Sequence, residues 1–204
     1  MKTLLCLHGI FDRPSVFDAF KIAFESKGFQ VIVPNLHLRW GFTRIETAAE
    51  TFKKTISSLT LEAKNEIVLV GFSMGGIIAR YYLQEMNGLA DLKEKAKFES
   101  FITISSPHHG SLLGYGSPGR GGFSLRPSSP LLRQLKESES KLSGLRILSL
   151  YTPHDLMILP ASSSIWKLAT NIEVEEKTHA AMLKSERVFD EIEKWIEFEG
   201  KIES

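Results

Sequence analysis

The hexapeptide Gly71-Phe72-Ser73-Met74-Gly75-Gly76 carries the strongest chemical signal in this sequence. It follows the apolar run 67–70 and precedes the helix-forming stretch 77–83, which places Ser73 on a strand–turn–helix corner. Glycines beside the serine permit a sharp turn in which backbone segments approach closely. Such a turn presents the hydroxyl above the sheet edge, at a helix N-terminus whose dipole favours developing negative charge. A serine hydroxyl is a weak nucleophile, so it needs a base, and the base needs an orienting group. In sites of this kind the acid and then the base follow the serine along the chain, each in a loop after a late strand. Asp155 turns away after the apolar run 145–151, and His179 follows the run 171–174. Glu173, Glu175 and Glu176 are rival acids that read as the solvated end of the last strand. His154 precedes the acid and reads as its neighbour.

Stabilising an oxyanion requires two backbone donors. The Met74 N–H, directly after the serine, is one, and the loop after the first strand supplies the other. Ile10 is the first choice there and Phe11 the second, with Gly9 allowing close approach. Losing one such donor costs about 2.7–4 kcal/mol of transition-state stabilisation. His8 reads as a structural histidine that fixes this loop.

The elements that must position these groups alternate along the chain. Strand-like runs fall at 3–7, 30–34, 66–70, 98–105, 145–151 and 171–174. Continuous Val, Ile and Leu suit strands covered on both faces, as in a parallel sheet. Helical stretches fall at 16–26, 45–58, 76–86 and 187–198; in the last, Val188, Ile192, Trp195 and Ile196 share one face. Strands alternating with helices predict an α/β architecture with right-handed crossovers. The segment 107–144 breaks the rhythm with Gly, Ser and Pro, and its length points to a lid or a binding loop. Neither an internal repeat nor a second domain stands out, so 1–204 reads as a single domain with 107–144 as a lid-like or pocket-wall insertion.

Composition narrows the function classes. At 204 residues the chain has the length of about one domain and can bury a real core. Apolar residues make up 43% and charged residues 24%, which excludes a disordered chain. Lys and Arg number 25 against 24 Asp and Glu, so the basic excess of a dedicated nucleic-acid binder is missing. Cys6 is the single cysteine, which excludes an intrachain disulfide and a multi-cysteine metal site. No apolar run reaches the roughly 18 residues of a spanning helix. The short run before His8-Gly9 is read as a buried strand rather than a signal peptide, which makes the cytoplasm the expected compartment.

Taken together, these pieces resemble an α/β-hydrolase of the lipase group, similar to bacterial triacylglycerol lipases and related serine-esterase domains. The resemblance rests on Leu7-His8-Gly9-Ile10, on residues 71–76, on residues 102–111 with their Ser-Ser-Pro-His-His-Gly-Ser core, and on 128–135. Pro153-His154-Asp155 with Pro160, and His179 with Met182-Leu183, complete it in the family's order. It implies a serine carboxylic-ester hydrolase with Ser73, Asp155 and His179 as triad and Ile10 and Met74 as oxyanion donors. The implied fold is a reduced, mostly parallel six-stranded sheet with helices on both faces and no large cap domain. The alternatives are a thioesterase, amidase or acyltransferase using the same residues, or a non-catalytic binding module that keeps the fold.

Phe11, Trp40, Leu112 and Met157 are the expected substrate-binding residues, being apolar and close to the site elements. His108 and His109 lack partners at metal-ligand spacing and are read as loop-stabilising, so neither a metal nor a cofactor is expected. The expected partner is a small ester or lipid, with transient lipid-surface contact and a monomeric state.

Overall fold

The computed structural model describes residues 2–60, 65–117 and 119–198. Its centre is one sheet of six strands: β1 (Lys2–Leu7), β2 (Gln30–Ile32), β3 (Glu66–Phe72), β4 (Lys97–Ile104), β5 (Arg146–Tyr151) and β6 (Thr170–Glu173). The strand order is β2-β1-β3-β4-β5-β6, and every pairing is parallel. This is the reduced α/β-hydrolase sheet that the sequence implies.

Alternate residues feed two cores. Leu5, Leu7, Ile67, Leu69 and Phe101 point into one. Leu4, Cys6, Val68, Val70 and Ile102 point into the other. Both faces are apolar because helices cover both, and so the strands read as continuous rather than alternating runs. Helices α1 (Asp18–Glu25) and α7 (Glu186–Glu197) cover the second face through Phe20, Phe24, Val188 and Ile192. Helices α2 (Ile45–Ser58), α3 (Met74–Glu85) and α4 (Gly88–Lys95) cover the first. The sequence pattern does not predict α4. It follows Asn87, whose φ of 60° turns the chain, and it buries Leu92 while its lysines stay on the solvated side.

The segment 107–144 is more structured than its composition suggests. It holds α5 (Arg120–Ser124) and α6 (Pro130–Glu137), and 3-10 turns at Leu112–Tyr115 and Glu139–Leu142. Ser129 caps α6 by accepting from the Leu132 N–H at 3.3 Å, and Pro130 occupies the first turn. Leu131, Leu132 and Leu135 are buried against the first core. Two side chains of α3 clamp the far end of the segment. Gln84 Nε2 donates to the Leu135 carbonyl at 2.7 Å, and Arg80 Nη2 reaches Glu139 Oε1 at 3.1 Å.

Between β1 and β3 the direction of strand addition reverses. The loops that leave the C-terminal ends of these two strands therefore diverge and open a crevice, where α/β sheets hold ligands. Ser73 ends one loop and Ile10 lies in the other.

Candidate active site

Ser73 sits between β3 and α3 with φ 54° and ψ −126°, a conformation that costs a non-glycine residue about 1–3 kcal/mol. The neighbours hold it there. Its N–H donates to the Ile104 carbonyl at 2.9 Å, and Ser106 Oγ donates to the Gly71 carbonyl at 3.3 Å. A Cβ on Gly75 would strike the Leu7 carbonyl, so only glycine lets α3 pass this close to β1. Ser73 is 7% exposed, and it opens onto a cavity of about 320 Å³ that His179 also lines.

His179 begins a 3-10 turn, His179–Lys184, capped by Thr178. Its ring packs on Phe72, the residue before Ser73, at 4.7 Å between centroids. His179 Nδ1 donates to Asp155 Oδ2 at 2.7 Å, which leaves Nε2 available to the cavity. Asp155 is buried, and its Oδ1 accepts from the Met157 and Ile158 N–H groups at 2.8 and 2.9 Å. Burial pushes this carboxyl up. The His179 hydrogen bond and charge, with the two amides, outweigh burial and hold it below the usual carboxylate value. An ionised Asp155 can only accept, which fixes the imidazole proton on Nδ1. Thr152 Oγ1 donates to the Glu176 carbonyl and so ties the loop of the acid to that of the histidine. The rival acids stand apart: Glu173 is exposed and accepts from the Tyr151 hydroxyl at 3.0 Å.

On the other side, the loop after β1 comes close to Ser73. A Cβ on Gly9 would lie 3.0 Å from Ser73 Cβ. Among the described residues no hydrogen bond uses the Ile10 N–H, and Met74 is the first residue of α3, where helical amides lack an acceptor within the helix. His8 anchors this loop. Its Nε2 accepts from the Leu36 N–H at 3.1 Å and its Nδ1 donates to the Gly9 carbonyl at 3.1 Å, a pattern that requires the neutral ring. Burial pushes its pKa down accordingly.

Two lobes meet at Ser73. The 320 Å³ cavity runs toward His179, Thr178, His154 and Leu156. A second lobe of about 60 Å³ runs under the segment 107–144, against Pro107, Leu113, Leu125 and Ile158. Ile10, Phe11, Ser73 and Met157 border both.

Of the four expected substrate-binding residues, the structure brings two to the cavity, Phe11 and Met157. Leu112 does not line either lobe. The 3-10 turn Leu112–Tyr115 sends it outward, 55% exposed, and Leu113 lines the second lobe in its place. Trp40 is also set aside from the cavity. It is 72% exposed, and its ring stands 6.2 Å from that of Phe11, over a separate groove with Asp12, Arg13 and Asn35. Asp12 lines the large cavity and was not singled out by the sequence, where it carries no motif of its own. Burial raises its carboxyl, against the lowering charges of His179 and His8.

His108 lies outside the cavity. Its Nε2 is 3.1 Å from Thr103 Oγ1, its Nδ1 is 3.4 Å from Arg80, and its ring stacks on Trp166 at 4.5 Å. Among the described residues no cluster of His, Cys, Asp and Glu could hold a metal ion.

The fold recurs widely in solved structures. The chain resembles the mature form of the lipase BlEst2 from Bacillus licheniformis, with a TM-score of 0.72 and 16% identity over 94% of this chain and 90% of that one. MGS-MChE2, an alpha/beta hydrolase from the metagenome of lagoon sediments at Mar Chica, Morocco, gives 0.68 and 18% over 96% and 90%. Lipase B of Aspergillus fumigatus gives 0.72 and 15%, over 89% of this chain and 49% of that one. The curated proteins give no match. These likenesses define the class as an α/β-hydrolase fold. The family model described as palmitoyl protein thioesterase matches residues 7–116, more than half of the chain, so the chain belongs to that family. It is a hydrolase of the ester and thioester class. No described helix is long and apolar enough to cross a membrane.

Proposed function

We propose that the protein is a serine hydrolase that cleaves carboxylic esters through an acyl-enzyme on Ser73. The observation that carries this reading is the His179–Asp155 pair at 2.7 Å, with His179 lining the same cavity as a serine on a strained turn. His179 Nε2 takes the Ser73 proton as Oγ attacks the carbonyl carbon. The Ile10 and Met74 N–H groups hold the resulting oxyanion. The bond to the leaving oxygen then breaks, and His179 passes its proton to the departing alcohol. Water, deprotonated by His179, attacks the acyl-enzyme, releases the acid and restores Ser73. Asp155 keeps the imidazole in the required tautomer and stabilises its charged form. The chain is read as one domain, with 107–144 as a wall of the site.

Thioesters are the second reading, supported by the family of the chain. The same steps apply, with a thiol as the leaving group. The test is fluorophosphonate labelling, together with turnover of p-nitrophenyl butyrate and of butyryl thiocholine by the wild type and by Ser73→Ala. Labelling at Ser73 and a loss of at least about 10⁴ in kcat/KM in the variant are expected. Retained turnover in Ser73→Ala overturns the assignment. The ratio of the two substrates separates the ester reading from the thioester reading.

A further inference from the structure

The two lobes at Ser73 differ in size and in their relation to His179. The base must reach the leaving group to protonate it, so the leaving group lies on the side of His179. The acyl group then extends to the opposite side of Ser73. His179, Thr178 and Ala180 border the large lobe and not the small one. We propose that the 60 Å³ lobe holds the acyl group and the 320 Å³ lobe holds the leaving group, so that the preferred substrate joins a short acyl group to a long apolar alcohol or thiol. This inference rests on the serine-hydrolase reading above and deepens it.

The volumes set the scale. The large lobe offers about 320 Å³ against about 60 Å³ in the small one, so the longer group of a substrate fits on the side of His179. The small lobe cannot lengthen easily, because its wall is hydrogen-bonded in place. The Ser111 N–H donates to the Leu125 carbonyl at 2.8 Å, and the Leu112 N–H to the Leu159 carbonyl at 2.8 Å. Ser111 Oγ donates to the Met157 carbonyl at 3.1 Å and accepts from the Leu159 N–H at 3.0 Å. Gly122 has no room for a Cβ, which would strike Ser117. The large lobe opens instead past Leu156, 76% exposed, and Met157, 40% exposed, which leaves an apolar path for a chain that runs on toward solvent.

A pair of isomeric esters tests the assignment. Octyl acetate and methyl nonanoate have the same atoms and nearly the same hydrophobicity but carry the long chain on opposite sides of the ester. Dissolved below their aggregation limits, octyl acetate is expected to show a kcat/KM at least tenfold higher. Leu113→Ala, which widens the small lobe, is expected to narrow that ratio by raising turnover of methyl nonanoate. Leu156→Asp, at the mouth of the large lobe, is expected to raise KM for octyl acetate more than for its isomer. Equal rates, or faster cleavage of methyl nonanoate by a protein whose Ser73 reacts with a fluorophosphonate, overturn the assignment of the lobes and leave the serine reading standing. Turnover of neither ester, with Ser73 inert to the fluorophosphonate, overturns the serine reading and the lobes with it.

Discussion

His108 follows β4 and His179 follows β6, so both stand beyond the same end of the sheet, yet their surroundings have opposite sign. His179 meets a carboxylate, Asp155, and lines a cavity. His108 meets a guanidinium, Arg80, and is enclosed by Trp166 and Thr103. Burial, then the Arg80 charge and then His109, hold its pKa well below the ordinary histidine value. Arg80 pays a part of this: burial lowers its own pKa to about 10, against the raising charge of Glu139. The contrast teaches what a histidine needs in order to carry a proton. A neighbouring carboxylate makes the imidazolium accessible, and a neighbouring cation removes it and leaves a flat, neutral, hydrogen-bonding ring. The first arrangement suits a base; the second suits a fastening between the sheet and the segment 107–144.

Exchanging the two histidines for inert side chains should separate these roles. His179→Gln is expected to lower kcat/KM by at least about 10³, because no base remains to take the Ser73 proton. Its Tm should move less than that of the His108 variant, since Asp155 keeps the Met157 and Ile158 amides. Steady-state kinetics and a thermal melt on the same preparation check both halves. If His179→Gln kept wild-type turnover, the contrast would lose its catalytic side.

His108→Ala should do the reverse. It empties a stacked site and removes one of the hydrogen-bond partners of Thr103 and one of those of Arg80, which costs about 2–4 kcal/mol. At about 2–4 °C per kcal/mol for a chain of this size, Tm should fall by roughly 4–16 °C, with kcat/KM within about tenfold of wild type. The pH dependence sharpens the point. The folded pKa of His108 and that of His8 lie below the unfolded value of 6.5. The unfolded chain therefore binds more protons below that pH, and stability falls as pH drops through it. Each buried neutral histidine contributes up to about 1.4 kcal/mol per pH unit. Asp155 adds its own loss further down, as pH falls through its lowered folded value. The slope of Tm against pH between 6.5 and 5 should therefore be shallower in His108→Ala than in the wild type. An unchanged slope would mean that His108 carries a proton in the fold.

Much of this was legible in the sequence, for local reasons. β1 and β3 stand out because each is a continuous apolar run, with 171–174 a weaker sixth signal, and Gly-x-Ser-x-Gly identifies its turn because few residues fit there. Asp155 and His179 could be singled out by chain order and strand ends, and the structure brings them within a hydrogen bond of each other. What escaped depends on contacts between distant segments. Helix α6 has a cap and an apolar stripe at Leu131, Leu132 and Leu135, but the Gly, Ser and Pro around it outweigh that signal by composition. Whether Leu112 or Leu113 faces the site depends on the phase of a single 3-10 turn, set by the Ser111 bond to the Leu113 N–H. Trp166, the platform of the His108 site, lies in a loop with no pattern to announce it. Asp12 was equally silent, since it becomes part of a site only when the loop after β1 folds over Ser73.

Asp12 offers the finest probe of the comparison, because it adds a second carboxylate to the surroundings of His179 and none to those of His108. Its charge acts on His179, and burial makes that charge costly to the fold, as its raised pKa records. Replacing it by Asn should therefore pull activity and stability in opposite directions. The imidazolium formed as Ser73 attacks loses a partly solvated negative neighbour worth about 0.5–1 kcal/mol, so kcat should fall about twofold to fivefold. The wild-type advantage should shrink as salt is raised, since a solvated charge pair is screened. Tm at neutral pH should rise slightly, by about 2 °C or less, because a group whose folded pKa is raised destabilises the fold once it is ionised. A salt titration of kcat for the two proteins distinguishes this field effect from a change of cavity shape, which would lower activity equally at every ionic strength.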